Sequence, residues 1–214
     1  MQIIWKGQNC FQIITQKTKN GQTIVVIDPP EESSGLRLSP LEADILIFTG
    51  PHAQEKLKAI KDAQFLVDGP GEYEIKEIFI RGIAVPNNKS KTTVGETIFI
   101  VEGEGMRLCH LGNLKQKELT ADQVDEIGDI DILMISVGGN YATNAEEARK
   151  IISQIEPKIV IPMNYQIPKL KIKTEGVDKF LKEMGIKTVE AVNKLSVKQK
   201  DLPTEETRVI LLNP

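Results

Sequence analysis

The stretch DILMISVGGNYATNAEEARKIISQIEPKIVI, residues 131–161, decides the fold class. Asp131 to Val137 is a short apolar run, the pattern of a buried strand. Thr143-Asn144-Ala145-Glu146 has capping-box spacing, in which a side-chain oxygen and a glutamate three residues on satisfy each other's backbone N–H groups. It therefore predicts a helix running to about Ile155. Pro157 cannot continue that helix, and Lys158 to Ile161 reads as the next strand. Strand, helix and strand in so short a span is the grammar of an α/β sheet.

Outward from this unit, Thr97 to Glu102 and Met106 to Leu111 form a hairpin through Gly103-Glu104-Gly105, and Thr120 caps a short helix to Ile127. Downstream, Val177 to Met184 is an amphipathic helix stopped by Gly185, followed by strands Thr188 to Ala191 and Thr207 to Leu212. The first half is richer in strands: Gln2 to Trp5, Phe11 to Gln16, Thr23 to Ile27 after the turn Lys19-Asn20-Gly21, Ala43 to Phe48, Phe65 to Val67 and Tyr73 to Val85. Gln54 to Asp62 has helical spacing just after Thr49-Gly50-Pro51, and Asn87 to Thr93 reads as a solvated loop. Strands followed by strand–helix alternation in both halves predict an α/β protein of two mixed β-sheets with helices on their outer faces.

The chain of 214 residues is 40% hydrophobic and 27% charged, the composition of a folded globular protein, and its length fits one domain over 1–214. With 27 basic against 30 acidic residues the net charge is -3, so no global positive field gathers nucleic acid or anionic lipid. Aromatics are 5% of residues and the lysines are scattered, which argues against a single-strand nucleic-acid groove. Glycine-rich phosphate loops of either common kind are missing, which argues against a nucleotide-dependent enzyme. No apolar run approaches the roughly 20 residues that span a bilayer. The start lacks a basic leader with an apolar core, so a cytoplasmic location is expected, with Cys10 and Cys109 as free thiols.

Six segments together resemble the metallo-β-lactamase superfamily, in particular its small branch related to L-ascorbate 6-phosphate lactonase and zinc-dependent hydrolases. They are Trp5-Lys6-Gly7-Gln8-Asn9-Cys10-Phe11, Val26-Ile27-Asp28-Pro29, Asp44 to His52, Gly69-Pro70-Gly71-Glu72-Tyr73-Glu74-Ile75, Cys109-His110-Leu111-Gly112-Asn113, and Lys158 to Tyr165. The resemblance implies a four-layer αβ/βα sandwich with a metal centre built from loops at one end of the two sheets. It also implies which ligands should stand where. The family motif Thr-His-x-His-x-Asp-His reads here Thr49-Gly50-Pro51-His52-Ala53-Gln54-Glu55, so His52 alone matches a ligand. His110 falls on a retained ligand position, whereas Asn113 replaces a bridging aspartate and Asn164 a histidine; Gln8 stands where a further histidine is usual.

Two imidazoles fall short of the three protein ligands that a catalytic zinc usually has, and neutral amides offset little of a dication's charge. The amides Gln8, Gln54, Asn113 and Asn164 are instead suited to hydrogen-bond one another in an emptied cleft. This predicts a catalytically inactive relative of zinc-dependent hydrolases with a binding or structural role and no cofactor. The alternative is a divergent hydrolase of lactone or phosphoester type, in which His52, His110 and Glu55 hold one zinc ion and Asp28 orients the site. In the plain structural alternative, the imidazoles bond to each other, to Asp28 or to the amides. Cys109 alternates away from His110 into the core, and Cys10 reads as a small buried hydrophobe. Metal-free catalysis through Cys10 or Glu72 lacks an adjacent activating base. Gly138-Gly139-Asn140-Tyr141 could present N–H groups to an anion, or be a plain strand-to-helix turn. The resemblance allows a homo-oligomer; ligand and partner are open.

Overall fold

The computed structural model describes residues 1–16, 21–36, 41–51, 60–61, 63–86 and 95–214. The expected turn at Lys19-Asn20, nearly all of the helix Gln54 to Asp62 and the loop Asn87 to Thr93 fall outside the described residues.

The first sheet holds six strands: β1 (Gln2–Trp5), β2 (Phe11–Gln16), β3 (Gln22–Ile27), β5 (Ile45–Ile47), β7 (Phe65–Val67) and β14 (Leu195–Ser196), in the order β14-β1-β2-β3-β5-β7. Its β14, β1, β2 and β3 run antiparallel, and β3, β5 and β7 run parallel. The second sheet holds β8 (Gly71–Ile75), β9 (Ile78–Ala84), β10 (Thr97–Gly103), β11 (Met106–His110), β12 (Ile132–Ser136), β13 (Ile159–Met163) and β15 (Arg208–Val209), in the order β15-β13-β12-β11-β10-β9-β8. There β8 to β11 are antiparallel, while β11, β12, β13 and β15 are parallel. A two-stranded parallel ladder, β4 (Leu41–Glu42) with β6 (Ile60–Lys61), lies apart. Both sheets are thus mixed, as the sequence predicts.

The alternation of side chains explains why β3 and β5 are buried on both faces. Val25, Ile27, Ile45 and Ile47 point into the main core, which also takes Phe99 and Ile80 from the second sheet. Val26 and Leu46 point the other way, into a separate cluster with Cys10, Leu41, Phe48 and Ile60. The helices α1 (Ala121–Ile127), α2 (Ala145–Ile155) and α3 (Val177–Glu183) supply further core residues, among them Ile127, Ile151 and Phe180.

Four expectations need correction. Tyr73 to Val85 is not one strand: Lys76 and Glu77, with φ of 51° and 67°, make a tight two-residue turn between β8 and β9. The α2 cap is one residue later than expected, because the side chain of Asn144, not Thr143, accepts from Glu147 N while Glu147 returns the bond to Asn144 N. Thr143 instead donates to Ser136 O. Thr188 to Ala191 is not a strand, since it has no buried face; the pairing with β1 falls to Leu195–Ser196. The last strand contracts from Thr207–Leu212 to Arg208–Val209, with a lone bridge from Leu212 to Val192.

Candidate functional site

The candidate site lies where β3, β11 and β13 end and the β1–β2 connection turns. Each of the first two strands delivers one polar side chain at its end: Asp28 just after β3 and His110 as the last residue of β11. Asn164 follows β13 directly. The connection brings Gln8 and Asn9 against them, because Gln8 O accepts from both Trp5 Nε1 at 2.8 Å and Asn164 N at 3.2 Å. Gln8, Asp28 and Asn164 all have positive φ, of 48°, 44° and 54°. Left-handed backbone costs non-glycine residues free energy, and its concentration at one end of the sheets marks a place where chain direction is dictated by the site.

His110 is buried, at 1% exposure, and both ring nitrogens are engaged. Gly112 N donates to Nδ1 at 3.1 Å, so Nδ1 carries the lone pair, and Nε2–H donates to Asn9 O at 2.9 Å. The ring edge also packs on Phe11, with centroids 5.7 Å apart. Burial lowers the imidazole pKa; the nearby Asp28 charge and the Asn9 bond act the other way and do not overcome it. His110 is therefore a neutral, satisfied histidine. Its partners are backbone groups, where the sequence reading had named a second imidazole, Asp28 or the amides.

Asp28 is held by Thr49, whose N–H donates to Oδ1 at 2.9 Å and whose hydroxyl donates to Oδ2. Asn113 Oδ1 accepts from Asn9 Nδ2 at 2.7 Å and from Asn164 Nδ2 at 3.3 Å. Asn113 is thus bonded to Asn164, with Asn9 as a third member. The structure places Gln8, Asp28, His110, Asn113 and Asn164 together; His52, Gln54 and Glu55 lie outside the described residues. Cys10 and Cys109 are free, fully buried thiols, and burial pushes the Cys109 thiol up to about 12 and that of Cys10 higher still. Both belong to the packed interior. Glu72 is exposed, in a long contact with Arg81 at 3.9 Å, and does not line the cleft. Gly138 to Asn140 border a different depression, where Gly139 N is already bonded to Thr143 O.

Sequence reasoning passed over three residues here. Asn9 is 6% exposed and joins the amide network. Thr49 holds Asp28, and its adjacency to Gly50 was the available signal. Glu96 had none, since in the sequence it stands between the expected loop Asn87 to Thr93 and the strand that starts at Thr97. A Cβ at Gly50, the position of the motif's first histidine, would stand 2.7 Å from Glu96 Oε1 and 2.8 Å from Oε2, so the carboxylate fills the space beside that glycine.

A zinc site needs about three anionic or imidazole donors with lone pairs directed at one point. Among the described residues no group of three or more His, Cys, Asp and Glu is so placed. His110 has its single lone pair taken by Gly112, and the neighbouring positions are amides. The described donors do not fit a metal centre.

Two mixed sheets that share one apolar core, with polar residues gathered at strand ends, are the architecture of metallo-β-lactamase-fold proteins. The Beta-lactamase superfamily domain matches residues 2–164, and the chain belongs to the metallo-β-lactamase superfamily. It is 23% identical to a UPF0173 protein of Pyrococcus furiosus, over 77% of this chain and 83% of that one. It is 24% identical to a UPF0173 metal-dependent hydrolase of Thermococcus onnurineus, over 74% of this chain and 82% of its relative. Among solved structures, it resembles a Thermotoga maritima protein assigned to the Zn-dependent hydrolases of the metallo-β-lactamase superfamily. There the TM-score is 0.79 at 29% identity, with 99% of each chain covered. No helix among the described residues is long and apolar enough to cross a membrane.

Proposed function

We propose that this chain is a single-domain member of a metal-dependent hydrolase family whose metal centre has been replaced by a hydrogen-bonded polar cleft, and that it acts by binding, not by hydrolysis. The observation that carries this reading is His110. A ligand histidine must offer a lone pair to the metal, and here that lone pair faces Gly112 N–H while Nε2–H is spent on Asn9 O. The amides support it, because Asn113 Oδ1 accepts from Asn164 Nδ2 and Asn9 Nδ2 where carboxylate and imidazole would hold a second ion. None of the three brings the negative charge that offsets a dication.

The test is metal content. Tag-free protein purified without chelator, and again after incubation with zinc, iron or manganese, is expected to hold well under one equivalent of tightly bound metal. It is also expected to show no turnover of lactones, phosphodiesters or β-lactams. Near-stoichiometric metal that disappears in His52→Ala or His110→Ala would overturn the proposal and establish a mononuclear hydrolase.

A further inference from the structure

The depression bordered by Gly138 to Asn140 shares no lining residue with the cleft beside Asp28. It encloses about 620 Å3, a volume in the range of small-molecule sites. Three lysines line it: Lys115 and Lys117 from the connection between β11 and α1, and Lys173 from that between β13 and α3. These connections are distant in sequence, and Asn140 ties them together. Its O accepts from Lys115 Nζ at 3.3 Å, and its Nδ2 donates to Lys173 O at 2.9 Å. Gly138 O adds a bond from Glu175 N at 2.9 Å. The fold thus gathers three cations around one concavity. Two glutamates share the lining, but each has a partner: Glu147 Oε2 accepts from Asn144 N in the α2 cap, and Glu175 pairs with Lys179. Lys117 and Lys173 have no ion pair among the described residues, and Lys115 spends one of its three N–H groups on Asn140.

We infer that this depression binds a small polyvalent anion, a phosphate ester or a polycarboxylate, through the ammonium groups of Lys115, Lys117 and Lys173. Like charges held around one volume repel, and an anion between them turns that repulsion into attraction. Gln116 adds a neutral donor: its Oε1 is taken by Gln123 Nε2 at 3.0 Å, so its own N–H groups are what it offers a ligand. The start of α2 contributes little, because Asn144 and Glu147 satisfy each other's N–H groups there. Ammonium groups act as point charges without the planar fork of a guanidinium, so the site selects the number of negative charges more than their shape. A singly charged ligand cannot serve three of them. The inference goes beyond the emptied cleft and holds whether or not that cleft carries a metal.

The experiment is a titration of 15N-labelled full-length protein in phosphate-free buffer, its metal content measured on the same sample. Tripolyphosphate, citrate and acetate are compared at constant ionic strength, following the Gly139 backbone amide and the side-chain amides of Gln116 and Asn140. Tripolyphosphate or citrate is expected to shift them saturably with Kd below about 1 mM, more weakly as salt rises, and acetate to give no saturation. The tighter of the two polyanions assigns the ligand to the phosphate or the carboxylate class. Lys117→Gln and Lys173→Gln, both at exposed positions, are each expected to weaken Kd about two- to fivefold. Lys200→Gln is expected to leave it unchanged, since the neighbouring Gln199 lies against Gly105, before the opposite end of β11. No saturation with either polyanion, acetate binding as tightly, or equal weakening in Lys200→Gln would overturn the inference. Shifts confined to the side-chain amides of Asn9 and Asn113 would place the anion in the cleft beside Asp28 and overturn it too.

Discussion

At the scale of single residues, His110 is where family resemblance and local chemistry diverge. Its position was legible because a Cys-His-Leu-Gly segment resembles a ligand segment, but its use was not. The bonds that occupy it come from Asn9 O and Gly112 N, backbone groups that no residue pattern reveals. The pH dependence follows from its lowered pKa. The unfolded chain binds a proton near 6.5 while the folded chain resists it, so stability from this group is full above that value and is lost as pH falls towards the lower folded value. Denaturant unfolding from pH 7.5 down to 5 should therefore show falling stability, and the His110 Cε1–H resonance should keep its neutral shift at pH 6. Titration with the pKa of a free histidine would contradict the assignment. A glycine nearby is equally decided by geometry. A Cβ on Gly138 would stand 2.2 Å from Asn164 O and 3.0 Å from Tyr165 Cα, both backbone atoms that cannot step aside. Gly138→Ala should cost about 2–3 kcal/mol in urea denaturation, within the range of strained and overpacked substitutions.

At the scale of elements, periodicity and turn chemistry located most strands but missed where local bonds shift a boundary. β1 and β2 fall where alternation placed them, because each has a buried face that fixes its register. The β8–β9 turn escaped notice because Lys76 and Glu77 are not the Asn-Gly pair that positive φ favours. The conformation is held from outside: Lys76 Nζ pairs with Asp44, and Thr23 Oγ1 donates to Lys76 O at 3.2 Å. The α2 cap was misread by one residue because Thr143 and Asn144 are both good caps, and Thr143 is drawn away by Ser136 O. The two roles separate experimentally. Asn144→Ala should lose about 1 kcal/mol together with helical signal at the α2 start, through the loss of the reciprocal pair with Glu147. Asn144→Asp or Asn144→Ser, which keep a capping oxygen, should recover most of it; equal losses in all three would mean that the cap contributes nothing.

At the scale of the whole molecule, the two sheets depend on one another. Phe11, Ile27 and Ile47 of the first sheet share a single apolar cluster with Ile80, Phe99 and Ile161 of the second, so neither sheet can shed the other without exposing it. The site inherits this dependence, since Asp28 arrives from one sheet and His110 and Asn164 from the other. Polar ties reinforce the apolar ones: the Asp44 carboxylate accepts from Ile24 N in the first sheet at 2.8 Å and takes Lys76 from the tip of the second. Both partners are partly buried, at 20% and 25% side-chain exposure, so their coupling in a double-mutant cycle of Asp44→Ala and Lys76→Ala should be about 1 kcal/mol and should shrink in high salt. A broader consequence concerns cooperativity. The sole tryptophan, Trp5, lies in β1 of the first sheet, 4.9 Å from the Tyr165 ring just beyond β13, whereas α1, α2 and α3 all follow strands of the second sheet. Trp5 fluorescence thus reports β1 and its contact with Tyr165, whereas the described helices that contribute far-ultraviolet circular dichroism follow second-sheet strands. A shared core requires the two probes to give one coincident urea transition. Separated midpoints would mean that the sheets unfold independently, against the proposal of one domain.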